Sequence, residues 1–182
     1  MRKQLYIAYG SNLNKEQMEY RCPTAEPIAV ATLKDHKLVF QGRPYGAHAN
    51  VIPAKGEEVP VVIWEITAKD EANLDIYEGV RGGYYTKEYI DIEVNGEMQE
   101  ALIYIMTPNP IGIPTDEYLQ TIAVGYDDFD LPISILNEAA IHAQENIGLG
   151  LLQVRETPYE RTRRAVYATG NRWAIENFNA TH

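Results

Sequence analysis

The chain has 182 residues, 45% of them hydrophobic, which suffices for a core of its own and limits it to one domain or a domain with a modest appendage. Its formal net charge of −10 at pH 7 excludes a broad basic face, so nucleic acid and anionic membranes are set aside as main partners in favour of small molecules or proteins. A single cysteine, Cys22, rules out an intrachain disulfide; it is expected to be a buried apolar side chain in a reducing, cytoplasmic compartment.

Met1-Arg2-Lys3-Gln4 is basic, but the apolar run behind it ends at Tyr9 without a cleavage site, so no secretory leader is expected. No segment is long and apolar enough to span a bilayer. Leu5-Tyr6-Ile7-Ala8-Tyr9 predicts a strand that breaks into a tight loop at Gly10-Ser11-Asn12. Glycine opens backbone angles closed to other residues there, and the loop's successive N–H groups could cradle a carboxylate or an oxyanion; the alternative is an ordinary turn after an edge strand. Asn14-Lys15-Glu16-Gln17 has the form of a helix start, and Pro23 closes that helix.

Two β-prone runs, residues 28–31 and 37–40, flank Lys34-Asp35-His36 and predict a hairpin or a bend. Residues 41–50 carry Gly42, Pro44 and Gly46 and are a candidate lid or pocket wall. Strands over 50–53 and 59–66 are expected around a turn at Lys55-Gly56-Glu57, with Val61-Val62-Ile63-Trp64 apolar on both faces. Thr67 and Asp70 cap a helix ending at Glu78-Gly79, and Val80-Arg81-Gly82-Gly83 reads as a flexible linker. Residues 84–94 and 101–106 form a hairpin about Asn95-Gly96.

Past an extended connector bearing Pro108, Pro110, Gly112 and Pro114, the pattern turns helical. Thr115 caps one helix through Tyr118, Leu119, Ile122 and Tyr126; Leu131-Pro132 opens another with Ile133, Leu136, Ala140, Ala143 and Ile147 in a stripe, closed by Gly148. Strands followed by helices indicate an α+β fold. Residues 1–152 form the domain. Residues 153–182, with Arg155, Arg161, Arg163, Arg164 and Arg172 among aromatics, are read as an extension docked on acidic surface, the alternative being an RNA-binding tail.

Most catalytic signatures are absent. There is no phosphate-binding or dinucleotide loop and no His-Glu-x-x-His; His36, His48, His142 and His182 are scattered, so no metal is expected. Neither Ser11 nor Ser134 lies in a nucleophile elbow. What remains is Glu78, an acidic residue at a helix C-terminus, where the helix dipole disfavours it, beside a flexible glycine pair and tyrosines. It is either a solvated surface carboxylate or an acid/base.

Three stretches taken together, Tyr9-Gly10-Ser11-Asn12-Leu13, then Leu74-Asp75-Ile76-Tyr77-Glu78-Gly79, then residues 114–118 followed by Leu131-Pro132, resemble the γ-glutamylcyclotransferase-like family. The resemblance implies a small mixed β-barrel with flanking helices, and conversion of a γ-glutamyl amino acid or amine into 5-oxoproline and the free amine without a cofactor. It implies that Glu78 is the general acid/base, that Tyr6, Ile7, Ala8, Tyr9, Gly10, Ser11 and Asn12 form the substrate-binding strand and loop, and that Tyr85 and Tyr118 are pocket tyrosines. Two readings stay open beside it: a catalytically silent module binding γ-glutamyl ligands, and a cyclotransferase that strips a γ-glutamyl group from a specialised natural-product amine. A homodimer is left open.

Overall fold

A computed structural model describes residues 3–149. The boundary at residue 152 and the arginine-rich extension lie outside the described residues.

Five strands form one sheet in the order β2-β3-β1-β5-β4. The central strand β1 (Lys3–Ala8) pairs antiparallel with β3 (His48–Thr67) and parallel with β5 (Glu97–Met106). Its last three residues are buried on both faces, so the chain leaves the sheet at its middle and the turn that follows is surrounded by structure. The outer strands are β2 (Glu26–Gln41) and β4 (Tyr85–Val94). They make no ladder with each other among the described residues, yet Lys34 of β2 comes within 3.8 Å of Glu93 of β4. The sheet is thus a strongly curled, open relative of the expected barrel within the expected α+β class.

The β2 and β3 segments differ from the expected pairs of short strands. Each is one continuous strand, and together they make a single long hairpin with register shifts near Pro27 and between Lys34 and His36. Asp35 (φ 55°) accepts a hydrogen bond at 2.8 Å from the N–H of Gly56 (φ 84°), so the two predicted turns are facing halves of one bend. Val61, Val62, Ile63 and Trp64 are all buried, as an interior strand requires.

The predicted caps form. Asn14 accepts from the N–H of Gln17 at the start of α1 (Lys15–Arg21). Thr67 and Asp70 close a reciprocal capping box on α2 (Ala68–Tyr77). Thr115 caps α3 (Asp116–Asp128), and Asn95 and Gly96 both take positive φ in the β4–β5 turn. Residues 80–83 are no linker: Val80–Gly82 form a 3-10 turn flanked by left-handed Gly79 and Gly83. In α4 (Ile133–Glu145) the buried face is Leu136, Ala139 and Ala143, against β2, while Ile133 is exposed.

Helix α3 sits on the turn that follows β1. A Cβ on Gly125 would stand 2.6 Å from the backbone nitrogen of Asn14 and from the Leu13 side chain, so only glycine allows this approach. Asn14 Nδ2 donates to the Thr121 carbonyl and the Lys15 N–H to Asp128, which clamps the turn from the same side.

Candidate active site

The β1 strand runs into a 3-10 turn, Ser11–Leu13. Gly10 has φ −117° and ψ −136°, outside both the helical and the extended regions. A Cβ there would lie 3.1 Å from Ala49 Cβ and 3.5 Å from the Tyr118 hydroxyl. No side chain caps the turn, and among the described residues no hydrogen bond takes up the N–H of Ser11 or Asn12.

These residues form one wall of a cavity of about 180 Å³. Tyr6, Tyr9, Gly10, Ser11, Asn12, Glu78, Tyr85 and Tyr118 all line it. Ile7 and Ala8 do not: their side chains are fully buried in the core, because the central strand is covered on both faces. Arg21, His48, Tyr77, Tyr84 and Tyr104 line it as well, none of them named beforehand as a site residue. Tyr77 lies in the motif around Glu78, Tyr84 adjoins Tyr85, and His48 lies in the candidate pocket wall over residues 41–50; no local pattern pointed to Arg21 or Tyr104.

Glu78 caps the C-terminus of α2, where Gly79 (φ 62°) turns the chain. Its Oε1 accepts from Asn12 Nδ2 at 3.2 Å. Burial pushes its pKa up to about 7, against the pull of the Arg21 charge and the Asn12 hydrogen bond, which favour the carboxylate. The same carboxyl therefore populates both protonation states near neutrality.

The tyrosines stay neutral. Burial raises Tyr6, Tyr9, Tyr85 and Tyr104 well above the ordinary phenol value, and Tyr118 to about 12. Each is fixed: Tyr85 donates to the Ala49 carbonyl at 2.6 Å, Tyr118 accepts from the Ala49 N–H at 3.2 Å, and Tyr9 donates to the Tyr104 carbonyl at 2.5 Å. Tyr104 lies edge-on to Tyr6 and donates to Asp75, which pairs with Lys87 at 2.8 Å. His48 packs edge-on to Tyr118 and Tyr84; its burial, together with Arg43 and Arg21, lowers its pKa, so it is neutral at pH 7.

The candidate lid over residues 41–50 is a tied-down wall. The N–H of Gly42 donates to Pro110 O, that of Gly46 to Ile113 O and that of Ile113 to Pro44 O. Among the described residues, no three His, Cys, Asp or Glu side chains cluster as metal ligands, and no helix is long and apolar enough to cross a membrane.

The fold and hollow together describe an α+β protein with one half-buried carboxyl, its pKa raised, lining a pocket of amino-acid size. The profile of the "Gamma-glutamyl cyclotransferase, AIG2-like" family matches residues 6–125. The chain is 36% identical over 138 residues to the γ-glutamylcyclotransferase of Mus musculus, covering 70% of this chain and 72% of the mouse protein. It is 35% identical over 141 residues to that of Homo sapiens, covering 71% and 73%. A solved structure of a γ-glutamyl cyclotransferase superposes with a TM-score of 0.69 at 25% identity, over 90% of this chain and 99% of the other. The chain belongs to the γ-glutamyl cyclotransferase, AIG2-like family and is an enzyme of that family.

Proposed function

We propose that this enzyme converts a γ-glutamyl amino acid or amine into 5-oxoproline and the free amine, with Glu78 as its general acid/base. The observation that carries the reading is the Glu78 carboxyl, half-buried in the hollow and hydrogen-bonded by Asn12 of the opposite turn, with its pKa raised to about 7.

A γ-glutamyl group carries its own nucleophile. The α-amine is spaced to close a five-membered ring on the γ-carbonyl, so the enzyme must fold the substrate rather than supply a second reactant. Glu78 in its carboxylate form takes a proton from the α-ammonium. The freed amine attacks the γ-carbonyl carbon, forming the lactam C–N bond and a tetrahedral oxyanion. The bond to the leaving nitrogen then breaks as Glu78 returns the proton. Two protons in all pass from the attacking nitrogen to the leaving one, and a carboxyl that alternates between base and acid serves for both.

The open N–H groups of Ser11 and Asn12 suit the oxyanion or the α-carboxylate, each lost donor costing about 3 kcal/mol. The small volume, below the ~300 Å³ of drug-sized sites, suits a glutamyl unit whose leaving group projects outward. The buried single cysteine supports a cytoplasmic setting.

The test is incubation with γ-glutamyl amino acids, γ-glutamyl amines and glutathione, followed by assay for 5-oxoproline. Release from one class supports the reading and names the leaving group. Binding without release across the panel would favour a silent module instead.

A further inference from the structure

We propose that Arg21, through Asn12, is a positioning residue that sets the direction of the protons at Glu78 and Tyr6; this rests on the acid/base role given to Glu78 above. Arg21 closes α1, where the helix dipole favours a cation, and its ring contact with Tyr77 (4.7 Å) holds the guanidinium at the edge of the hollow. From there Nη1 donates to Asn12 Oδ1 at 2.7 Å and to Ser11 Oγ at 3.3 Å.

The argument is one of donor and acceptor counting. An amide can present either end to a neighbour, but a guanidinium has only donors, so the Asn12 oxygen must face Arg21. Its NH2 group is then directed at Glu78 Oε1 (3.2 Å) and at the Tyr6 hydroxyl oxygen (2.8 Å). Two consequences follow. Oε1 is occupied as an acceptor, which leaves Oε2 as the oxygen that exchanges the proton. Tyr6, already accepting from Asn12, keeps its own O–H free to donate into the hollow, toward an oxyanion. Asn12 is 3% exposed, so water does not compete for its amide.

Among the described residues no other charge does this work: besides Arg21, the groups that sense Glu78 are Tyr6, Tyr9, Tyr85, Tyr118 and Cys22, all with raised pKa values and neutral at pH 7. Among the described residues no carboxylate forms an ion pair with Arg21. Its charge therefore acts on Glu78 undiluted by a counter-ion.

The experiment uses the full chain labelled with 13C at the glutamate side-chain carboxyl, the Glu78 resonance being identified by its loss in Glu78→Gln. Its titration is followed in the unaltered protein, in Arg21→Met and in Arg21→Lys, alongside kcat and KM against pH. The expected result is a midpoint that moves up by about one pH unit in Arg21→Met and stays near its starting value in Arg21→Lys. With it, kcat falls at least about tenfold in Arg21→Met with KM little changed, and lysine restores most of it. Should the methionine variant fail to fold, Arg21→Gln, which keeps a donor but not the charge, must show the same upward movement. An unmoved midpoint in a folded neutral variant overturns the proposal. So does a rise in KM at constant kcat, which would make Arg21 a substrate anchor. The resonance titrates whether or not 5-oxoproline is formed, so absence of turnover would count against the proposed reaction and leave the role of Arg21 to be decided by the midpoint.

Discussion

Asn12 and Glu78, 66 positions apart in the chain, meet through a 3.2 Å hydrogen bond from Nδ2 to Oε1. One belongs to the turn after the central strand and the other to the end of α2, so this contact joins the two motifs on which the chemistry depends.

Replacing the carboxyl while keeping its shape separates the two roles of that contact. Glu78→Gln retains an oxygen for Asn12 to donate to but cannot carry a proton. The rate of 5-oxoproline formation should fall by about 10²–10⁴-fold with a melting temperature equal to or above that of the parent. Product assay and thermal denaturation check both parts; turnover within a few-fold of the parent would contradict the role.

Stability should respond to pH through the same group. The folded-state pKa of Glu78 is about 7, above the ordinary carboxyl value near 4.3 that the unfolded chain has. Folding therefore favours its neutral form. This contribution is fully present below about pH 4, declines as pH rises, and is gone above about pH 7. Urea denaturation between pH 5 and 8 should show Glu78→Gln gaining on the parent as pH rises, by on the order of 2 kcal/mol in all.

Two glycines should fail differently. Gly10→Ala puts a methyl 3.1 Å from Ala49 and 3.5 Å from the Tyr118 hydroxyl, at the rim of the hollow, and should lower kcat/KM about tenfold with little loss of stability. Gly125→Ala meets backbone at 2.6 Å and should cost about 2–4 kcal/mol, since α3 must move off the turn. Equal effects of the two on the melting temperature would refute the distinction.

Asp70 anchors the start of α2 and is 1% exposed. Burial by itself would raise its pKa, but hydrogen bonds from Thr24 and Thr67 outweigh this and hold it below the ordinary value. Its contribution is present above the unfolded value and disappears as pH falls through the folded one. Asp70→Ala should destabilise by about 1–3 kcal/mol at pH 7 and by less at pH 3, measured by urea denaturation.

Every step of the proposed reaction is a proton transfer or a carbonyl addition carried by Glu78 and the turn. EDTA should accordingly leave turnover unchanged, and loss of activity restored by zinc would contradict the mechanism.

What could be read along the chain was whatever two or three neighbouring residues settle between themselves. The caps at Asn14, Thr67 and Thr115 and the Asn95-Gly96 turn depend on side chains reaching backbone a few residues away, and they formed where expected. The same local logic left a hairpin or a bend open at Lys34-Asp35-His36, where a bend forms, and misled at Lys55-Gly56-Glu57, where a turn was expected. Residues that permit a turn equally permit a bulge, and the choice between them was made by the pairing of β2 with β3 along their whole length.

The motif around Glu78 shows the division within six residues. Leu74 is buried in the core, Asp75 holds Tyr104 and Lys87, Ile76 is exposed, and Tyr77 and Glu78 face the hollow. Their identities were legible and their directions were not. By itself the sequence determined the α+β class, the helix ends, the turn at Gly10 and an acidic residue at the end of α2, because short-range hydrogen bonding and hydrophobic period decide these. Only the tertiary structure brought Arg21, His48, Tyr84 and Tyr104 to the same cavity and withdrew Ile7 and Ala8 from it. A pocket is made where separate elements pack, and which side chains meet there depends on long-range burial that no local pattern encodes.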